Sequence, residues 1–435
     1  MRTPASEPLV DGTSLLVDGT SAWVRLFIAL VLMTIGGCGM YAVVVVLPAV
    51  QAEFGISRAQ ASLPYTVTMI GFGVGGVLMG RWADKVGVAL PLTGASLCLG
   101  LGFVVAGYAQ SYWPFVLAQG VLIGLLGSSA TFGPLMTDIS FWFNKRRGIA
   151  VAICASGNYL AGALWPPIVQ AGVESYGWRK TYIGIGLFCA VTMFLLSLWL
   201  QRGTAQSLAL RGRATTNASA VSPARAGLGT GTGTERPLGL HPQWLLALLS
   251  VAGVACCVAM AMPQVHIVAY CNDLGYGTLR GAQMLSTMLA FGVASRLISG
   301  AICDRIGGLK TLMLGSALQG LSLLLFIPFN DMISLFVISA LFGLFQGGIV
   351  PSYAIIVREL FSPKQAGTYV GIVIMATLLG MALGGWLSGK MFDWTGSYKA
   401  AFINGIAWNL LNLAIAFYLL KKSSATKLIR NTHPQ

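Results

Sequence analysis

The sequence predicts an all-α integral membrane protein with twelve transmembrane helices in two pseudo-symmetric six-helix bundles. Three observations lead there. The first is solvent. Of 435 residues, 56% are apolar and 9% charged, whereas soluble domains average about 25% charged residues. Mean hydropathy is +0.76, so the chain needs lipid around it. The second is length. Crossing ~30 Å of hydrocarbon takes about 20 apolar residues, and twelve runs reach that scale. Barrel strands need only about 10 alternating residues, and these runs do not alternate. The third is repetition. Gly80-Arg81-Trp82-Ala83-Asp84-Lys85-Val86-Gly87 returns as Gly300-Ala301-Ile302-Cys303-Asp304-Arg305-Ile306-Gly307, both reading G-x-x-x-D-[KR]-[VI]-G at an offset of 220.

The elements follow in chain order. Residues 1–22 are polar and lack the basic start and short apolar core of a cleavable signal peptide, so they read as a tail. A first bundle over 23–201 holds runs at 24–49, 60–81, 88–109, 114–138, 148–173 and 180–201. The string Gly71-Phe72-Gly73-Val74-Gly75-Gly76 fits G-x-G-x-x-G, but it lies inside the second run, without the strand-turn-helix context of a dinucleotide site. It suits close helix packing instead, as do Gly120, Gly124 and Gly127 in the fourth run. Pro166-Pro167 should kink the fifth. Residues 202–242, rich in Gly, Ala, Thr, Ser and Arg, read as a flexible linker. A second bundle over 243–420 holds runs at 243–270, 281–302, 309–328, 333–357, 367–389 and 400–420, with a tail over 421–435. Pro351 should kink the tenth run, and Gly380, Gly384 and Gly385 should let the eleventh pack closely.

Lys and Arg set the orientation. With both termini inside, Arg58, Arg179, Lys180, Arg280, Lys390 and Lys399 lie in outer loops and Arg296 within a run. The other 20 of the 27 basic residues then face the cytoplasm. This asymmetry accounts for the formal charge of +14 without a nucleic-acid partner. The expected location is a plasma membrane, most simply a bacterial inner membrane, and this orientation puts the linker sequon Asn217-Ala218-Ser219 on the cytoplasmic side, where glycosylation is not expected. Of eight cysteines, seven fall in or at the ends of apolar runs as small hydrophobes, while Cys271 sits near an outer helix end without an obvious partner. No CxxC pair suggests a metal, no Walker A sequence suggests ATP, and no cofactor is expected.

Trp178-Arg179-Lys180-Thr181-Tyr182 and Tyr398-Lys399-Ala400-Ala401-Phe402 share the 220 offset, and Lys145-Arg146-Arg147-Gly148 matches Lys364-Gln365-Ala366-Gly367 at 219. The halves are therefore duplicated, which places a binding site near the midplane between them. At these residues the chain resembles the major facilitator superfamily over nearly its whole length. The resemblance implies a monomeric secondary transporter that works by alternating access. It also implies gating by the paired loops, through Asp84, Lys85, Asp304 and Arg305. A carboxylate at a helix end can hold a cation in one state and release it in another; the plainer reading is a static topology anchor. Phe291-Gly292-Val293-Ala294-Ser295-Arg296 and Phe141-Trp142-Phe143-Asn144-Lys145-Arg146-Arg147-Gly148 look like the branch of monocarboxylate porters and oxalate–formate exchangers, where an arginine at this place binds substrate carboxylate. Two departures stand out. Many eukaryotic monocarboxylate porters carry an aspartate where this chain has Gly292, and the exchanger's helix 11 lysine would fall near Met375. One buried cation suits a monoanion.

Arg296 is the leading site residue. It lies about 12 Å, or eight residues, inside the eighth run from Asp304, and it reads as the one Lys or Arg deep in any run. Guanidinium cannot shed its proton, and its planar fork matches a carboxylate. The alternative is a structural arginine bonded to backbone carbonyls or a nearby acid. His266 is the candidate for proton coupling, against a plain hydrogen-bonding histidine; Asp273, in the next loop, reads as solvated. Tyr41, Phe132, Asn158 and Gln346 fall near ligand-contacting positions of the exchanger pattern, with interhelical bonding or packing as the alternative. These readings lead to proton-coupled symport of a small organic anion, a monocarboxylate above all, or to carboxylate exchange. Proton-coupled drug efflux in the same fold is weakened by Val116 where R-x-x-Q-G needs arginine and by Gly162-Ala163-Leu164-Trp165-Pro166-Pro167 where G-P-x-x-G-G is expected. The tails are too short for an obvious signalling domain, and the runs carry no cluster of acids, histidines or nucleophiles to suggest an enzyme.

Overall fold

The structure is a computed structural model that describes residues 17–210 and 237–432. Most of the N-terminal tail and most of the linker, including its sequon, lie outside the described residues, as do residues 433–435. Twelve of the described helices are long and apolar enough to cross a membrane: α1 (Thr20–Phe54), α2 (Arg58–Val86), α3 (Ala89–Tyr108), α4 (Tyr112–Trp142), α5 (Arg147–Tyr176), α6 (Trp178–Gln201), α7 (Pro242–Asp273), α8 (Thr278–Ile306), α9 (Gly308–Leu325), α10 (Met332–Leu360), α11 (Gln365–Thr395) and α12 (Tyr398–Ser424). No strand occurs among the described residues. This is a multi-pass membrane protein.

Most helices outrun the apolar stretches from which they were read, because a helix continues through the headgroup layer wherever polar residues can end it. Ser57 and Gln60 form a capping box at the start of α2. The closing glycines of the repeated loop motif, Gly87 and Gly307, both end their helices at positive φ, 84° and 82°, a conformation that disfavours any side chain. The duplication thus extends to backbone geometry. Asp331 caps α10 through the Ser334 N–H at 2.9 Å, and that bond holds its carboxyl below the usual range. Three boundaries move. α1 begins at Thr20, inside the expected tail. Residues 204–210 of the expected linker are helical, and the last helix runs on through Thr432 in the expected C-terminal tail.

Glycine sets the interhelical spacing within each half. A Cβ on Gly71 or Gly75 of α2 would collide with the backbone of α4, and one on Gly380 or Gly384 of α11 with the backbone of α7. The halves meet along two seams, α2 against α11 and α5 against α8. Three helices break at depth. α1 is interrupted at Gly37. α4 passes through a π segment at Ala118–Gly127 and a 3₁₀ segment at Ser128–Thr131 before restarting at Gly133. α10 breaks at Gly347–Gly348 and resumes at Ile349. The expected kink at Pro351 is therefore displaced. Pro351 sits in the first turn of the second segment, where a missing N–H costs nothing, and the break falls at two glycines where a Cβ would run into Gly292, Ser295 and Ser299 of α8. α5 runs as a single helix through Pro166 and Pro167.

Candidate functional site

The α5–α8 seam collects most of the expected site. Ala155, Asn158, Tyr159 and Gly162 repeat at three- and four-residue spacing and share one face of α5. On α8, Leu289, Gly292 and Arg296 do the same. Arg296 Nη1 donates to the Ala155 carbonyl across the seam at 2.8 Å. Its guanidinium lies 4.4 Å over the Tyr159 ring, and its Nε is buried without a partner. No ion pair among the described residues includes it. Tyr159 also occupies the space beside Gly292, where a Cβ would meet two ring carbons at 2.5 Å. The site thus puts an aromatic ring where the resemblance leads one to expect an acid.

Tyr41 joins this group. Its ring lies against Gly162, beside Leu289 of α8. Asn158 keeps a buried, unpartnered Oδ1 on the side of the α1 break, 3.6 Å from where a Gly37 Cβ would sit. Gln346 is fully buried at the α10 break. Its Oε1 accepts from Gln264 Nε2 at 3.1 Å, while its own Nε2 has no partner. The adjacent Gly347 faces Gly292 and Ser295 of α8, while the Gln346 side chain itself is bonded to α7. Phe132 restarts α4 and packs its ring against Phe72 of α2 at 5.9 Å, within the first half.

His266 lies apart from this group. It is buried where α7, α11 and α12 meet, with Nε2 at 2.8 Å from the Gly385 carbonyl and Nδ1 at 3.1 Å from the Tyr398 hydroxyl. A neutral ring that donates from Nε2 and accepts at Nδ1 satisfies both bonds. The expected gating residues Asp84, Lys85, Asp304 and Arg305 are exposed at the face that carries the termini. There Asp84 lines a cleft of about 30 Å³ with Asp138 and Ser207.

Two sequence readings need completing. Arg296 is deep along its helix, but other arginines are more fully buried. Arg25 of α1 is 2% exposed and pairs with Asp138 of α4 at 2.6 Å. Its guanidinium also sits 4.8 Å over the Trp142 ring. Arg25 lay at the lip of an apolar run, and the signal for its burial was the lone acid at the end of another run on the same side. Nor is Asp273 merely solvated, because it pairs with Arg58 at 3.0 Å.

A sequence profile of the Major Facilitator Superfamily matches residues 28–331 and 284–434. The chain belongs to the major facilitator superfamily. It is similar to monocarboxylate transporter 13 of Rattus norvegicus, 28% identical over 345 residues that span 79% of this chain and 75% of the relative. It is also similar to the uncharacterized MFS-type transporter YcxA of Bacillus subtilis, 24% identical over 79% of this chain and 82% of that one. Among solved structures it superimposes on a peptide transporter, POT, in complex with sulfate, with TM-score 0.70 and 14% identity over 92% of this chain and 94% of that one. A bacterial homolog of the lysosomal transporter Spinster gives TM-score 0.68 and 14% identity, over 93% and 97%. The superfamily fold and the transporter class are thus established. Tyr159, Ala155 and Gln264 escaped the sequence reading, because only the approach of α5 to α8 and of α7 to α10 gives them partners.

Proposed function

We propose that this superfamily member moves a small organic anion, most simply a monocarboxylate, by proton-coupled symport through alternating access, with Arg296 engaging the carboxylate. The observation that carries the reading is the state of Arg296. Its charge is permanent and half-buried on the seam between the halves. It is held by a backbone carbonyl and a ring face, with a free Nε and no acid paired to it. A carboxylate arriving in the seam supplies the missing counter-charge. The similarity to monocarboxylate transporters supports the same substrate class. Tyr41 and Asn158 on the same seam, and Gln346 at the α10 break, are the further substrate-contacting candidates on this reading, and the basic asymmetry of the loops favours cytoplasmic termini.

The test is uptake of labelled carboxylates into proteoliposomes, with and without an inward proton gradient, for wild type and Arg296→Gln. A buried charged pair that loses one partner costs about 2–5 kcal/mol, so uptake should fall at least about thirtyfold in a variant that still folds. Saturable uptake stimulated by the gradient supports symport, while uptake driven only by counter-substrate points to exchange. No carboxylate uptake by wild type, or full activity in the variant, overturns the assignment.

A further inference from the structure

Two buried thiols meet inside the first half. Cys38 is the first residue after the break in α1, Cys189 lies near the middle of α6, and both are fully buried. Their sulfurs stand 3.4 Å apart, so that one S–H can donate to the other. They are 151 positions apart in sequence, and it is the folding of the half that brings them together. Other close sulfurs differ in kind. Cys256 and Cys257 are 3.8 Å apart but are neighbours on α7, where a bridge would distort the helix. Cys271 lies 3.1 Å from Met284 Sδ, and a thioether forms no disulfide. The joint that Cys38 begins is tied on its other sides. Trp165 Nε1 of α5 donates to the Thr34 carbonyl at 2.8 Å, and Ser128 Oγ of α4 donates to the Gly36 carbonyl at 2.8 Å. A Cβ on Gly37 would meet Ala161 of α5, and one on Gly39 would meet Ile123 and Ser128 of α4. The joint is thus held by α4 and α5 through bonds and close packing, and α6 faces it with Cys189.

We propose that Cys38 and Cys189 form an oxidation site, at which hydrogen peroxide closes a disulfide that fixes the α1 joint to α6 and slows transport. The site does not depend on which substrate is carried. One sulfur attacks a peroxide oxygen, the O–O bond breaks, and a sulfenic acid and one water form. The second sulfur then attacks the first, and the hydroxyl leaves as water with the second thiol's proton. Two electrons pass from the two thiols to one peroxide, and two waters are released. From 3.4 Å the sulfurs close by about 1.4 Å to reach disulfide length. Because the second thiol already touches the first, the sulfenic acid is captured where it forms. Hydrogen peroxide is small and uncharged, so the apolar surroundings of the pair admit it where charged thiol reagents are kept out. The bridge bears on function through position. Tyr41, which lies against Gly162 on the α5–α8 seam, follows Cys38 by three residues on the same segment of α1. Helices bend at their breaks, and a covalent bond at the joint removes that freedom from the segment that carries Tyr41.

The experiment uses the full chain in proteoliposomes, as wild type and as the single variants Cys38→Ala and Cys189→Ala, with and without hydrogen peroxide. Remaining thiols are then blocked, and the digested protein is read by mass spectrometry, beside carboxylate uptake and thermal melting. Peroxide-treated wild type should yield a linked Cys38–Cys189 peptide. Its uptake rate should fall at least about threefold, as expected when a hinge is immobilised. Its melting temperature should rise, because the bridge constrains the unfolded chain. Dithiothreitol, a neutral dithiol, should reverse all three. Both variants should match wild type before treatment and lose every one of these responses, whereas Cys256→Ala should respond as wild type does. A wild type that yields no linked peptide overturns the site. A linked peptide with unchanged uptake overturns the fixing of the joint. Slowing that persists in Cys38→Ala and Cys189→Ala belongs to another cysteine and overturns it as well. If wild type carries no carboxylate, the proposed substrate class fails, and the linked peptide and the melting shift still decide the oxidation site.

Discussion

Gly292→Asp, with and without Tyr159→Ala, puts the greatest demand on the site as described. Position 292 lies one helical turn before Arg296 on the same face of α8, so an aspartate there is placed to pair with the guanidinium. Two costs follow. The Cβ would meet Tyr159 Cδ1 and Cε1 at 2.5 Å, and overpacking of that kind costs about 1–3 kcal/mol. The carboxylate would then serve as an internal counter-ion. Two unit charges 4 Å apart at an effective dielectric of 20 attract by about 4 kcal/mol, and a substrate carboxylate must compete with that. If half of it is felt, the apparent KM rises about thirtyfold. Tyr159→Ala removes the overpacking and leaves the competition, so the double variant should regain thermal stability while keeping the raised KM. The carboxylate keeps its charge while it is paired with arginine, so the competition is present across the whole assay range and the raised KM should not depend on pH there. The assay is initial-rate uptake in proteoliposomes from pH 5 to pH 8, beside thermal melting in detergent. A single variant with wild-type KM and wild-type melting would refute both the placement of Tyr159 and the role of Arg296.

Other consequences can be checked alongside. Asp138→Ala strands the buried charge of Arg25 and should cost about 3–5 kcal/mol, read as an early melt by size-exclusion thermostability; Arg25→Met with Asp138→Leu should recover most of it. Tyr159→Leu removes the ring under Arg296, a contact worth about 0.5–2 kcal/mol, and should raise KM up to about thirtyfold with little change in folding, as uptake kinetics would reveal. Gly71→Ala would push a methyl into the α4 backbone and should lower expression and melting temperature, whereas Gly76→Ala, which meets nothing within 4 Å, should leave both unchanged. His266→Gln keeps a donor and an acceptor for Gly385 and Tyr398 and should retain gradient-stimulated uptake; its loss would return proton coupling to this residue.

The architecture was legible because it depends on sums. Run length, basic asymmetry and the 220-residue repeat average over many residues, and the repeat survives even in the matched φ of Gly87 and Gly307. Boundaries at Thr20 and beyond residue 420 were less legible, because a helix end depends on local caps and not on hydropathy. The breaks in α1, α4 and α10 were also hidden. Glycine and proline mark where a helix can break, but the neighbour that presses there decides whether it does; Gly347 yields to α8, while Pro166 and Pro167 stay within a continuous α5. Arg296 could be singled out from its type and depth alone. Its supports could not, because Ala155 contributes a backbone carbonyl, which any residue has. Arg58 and Asp273 read as loop charges for a different reason: they stand 215 positions apart in sequence and are paired only by the closure of the two halves.

The arginines at membrane depth or at its margins fall into two kinds, and the difference bears on mechanism. Arg25 has Asp138, Arg58 has Asp273, and Arg179 has Glu53 at 2.6 Å. Each of these charges is balanced within the protein, and each pair ties elements together. The Arg25 and Arg179 pairs lie within the first half and can persist through a cycle that moves the halves as bodies. The Arg58 pair crosses between halves and must break. Arg296 also crosses, but it is held by a carbonyl and a ring, neutral partners that a carboxylate can outbid in a partly dry seam. On the proposed reading, a fixed charge with only neutral partners at the interface between the halves would give an anion different contacts in two arrangements of the halves. Such a differential is what a ligand needs in order to shift a conformational equilibrium. An arginine already satisfied by an acid would offer the anion no such differential, so on that reading the ring in place of an acid beside Gly292 would serve anion binding as well as packing.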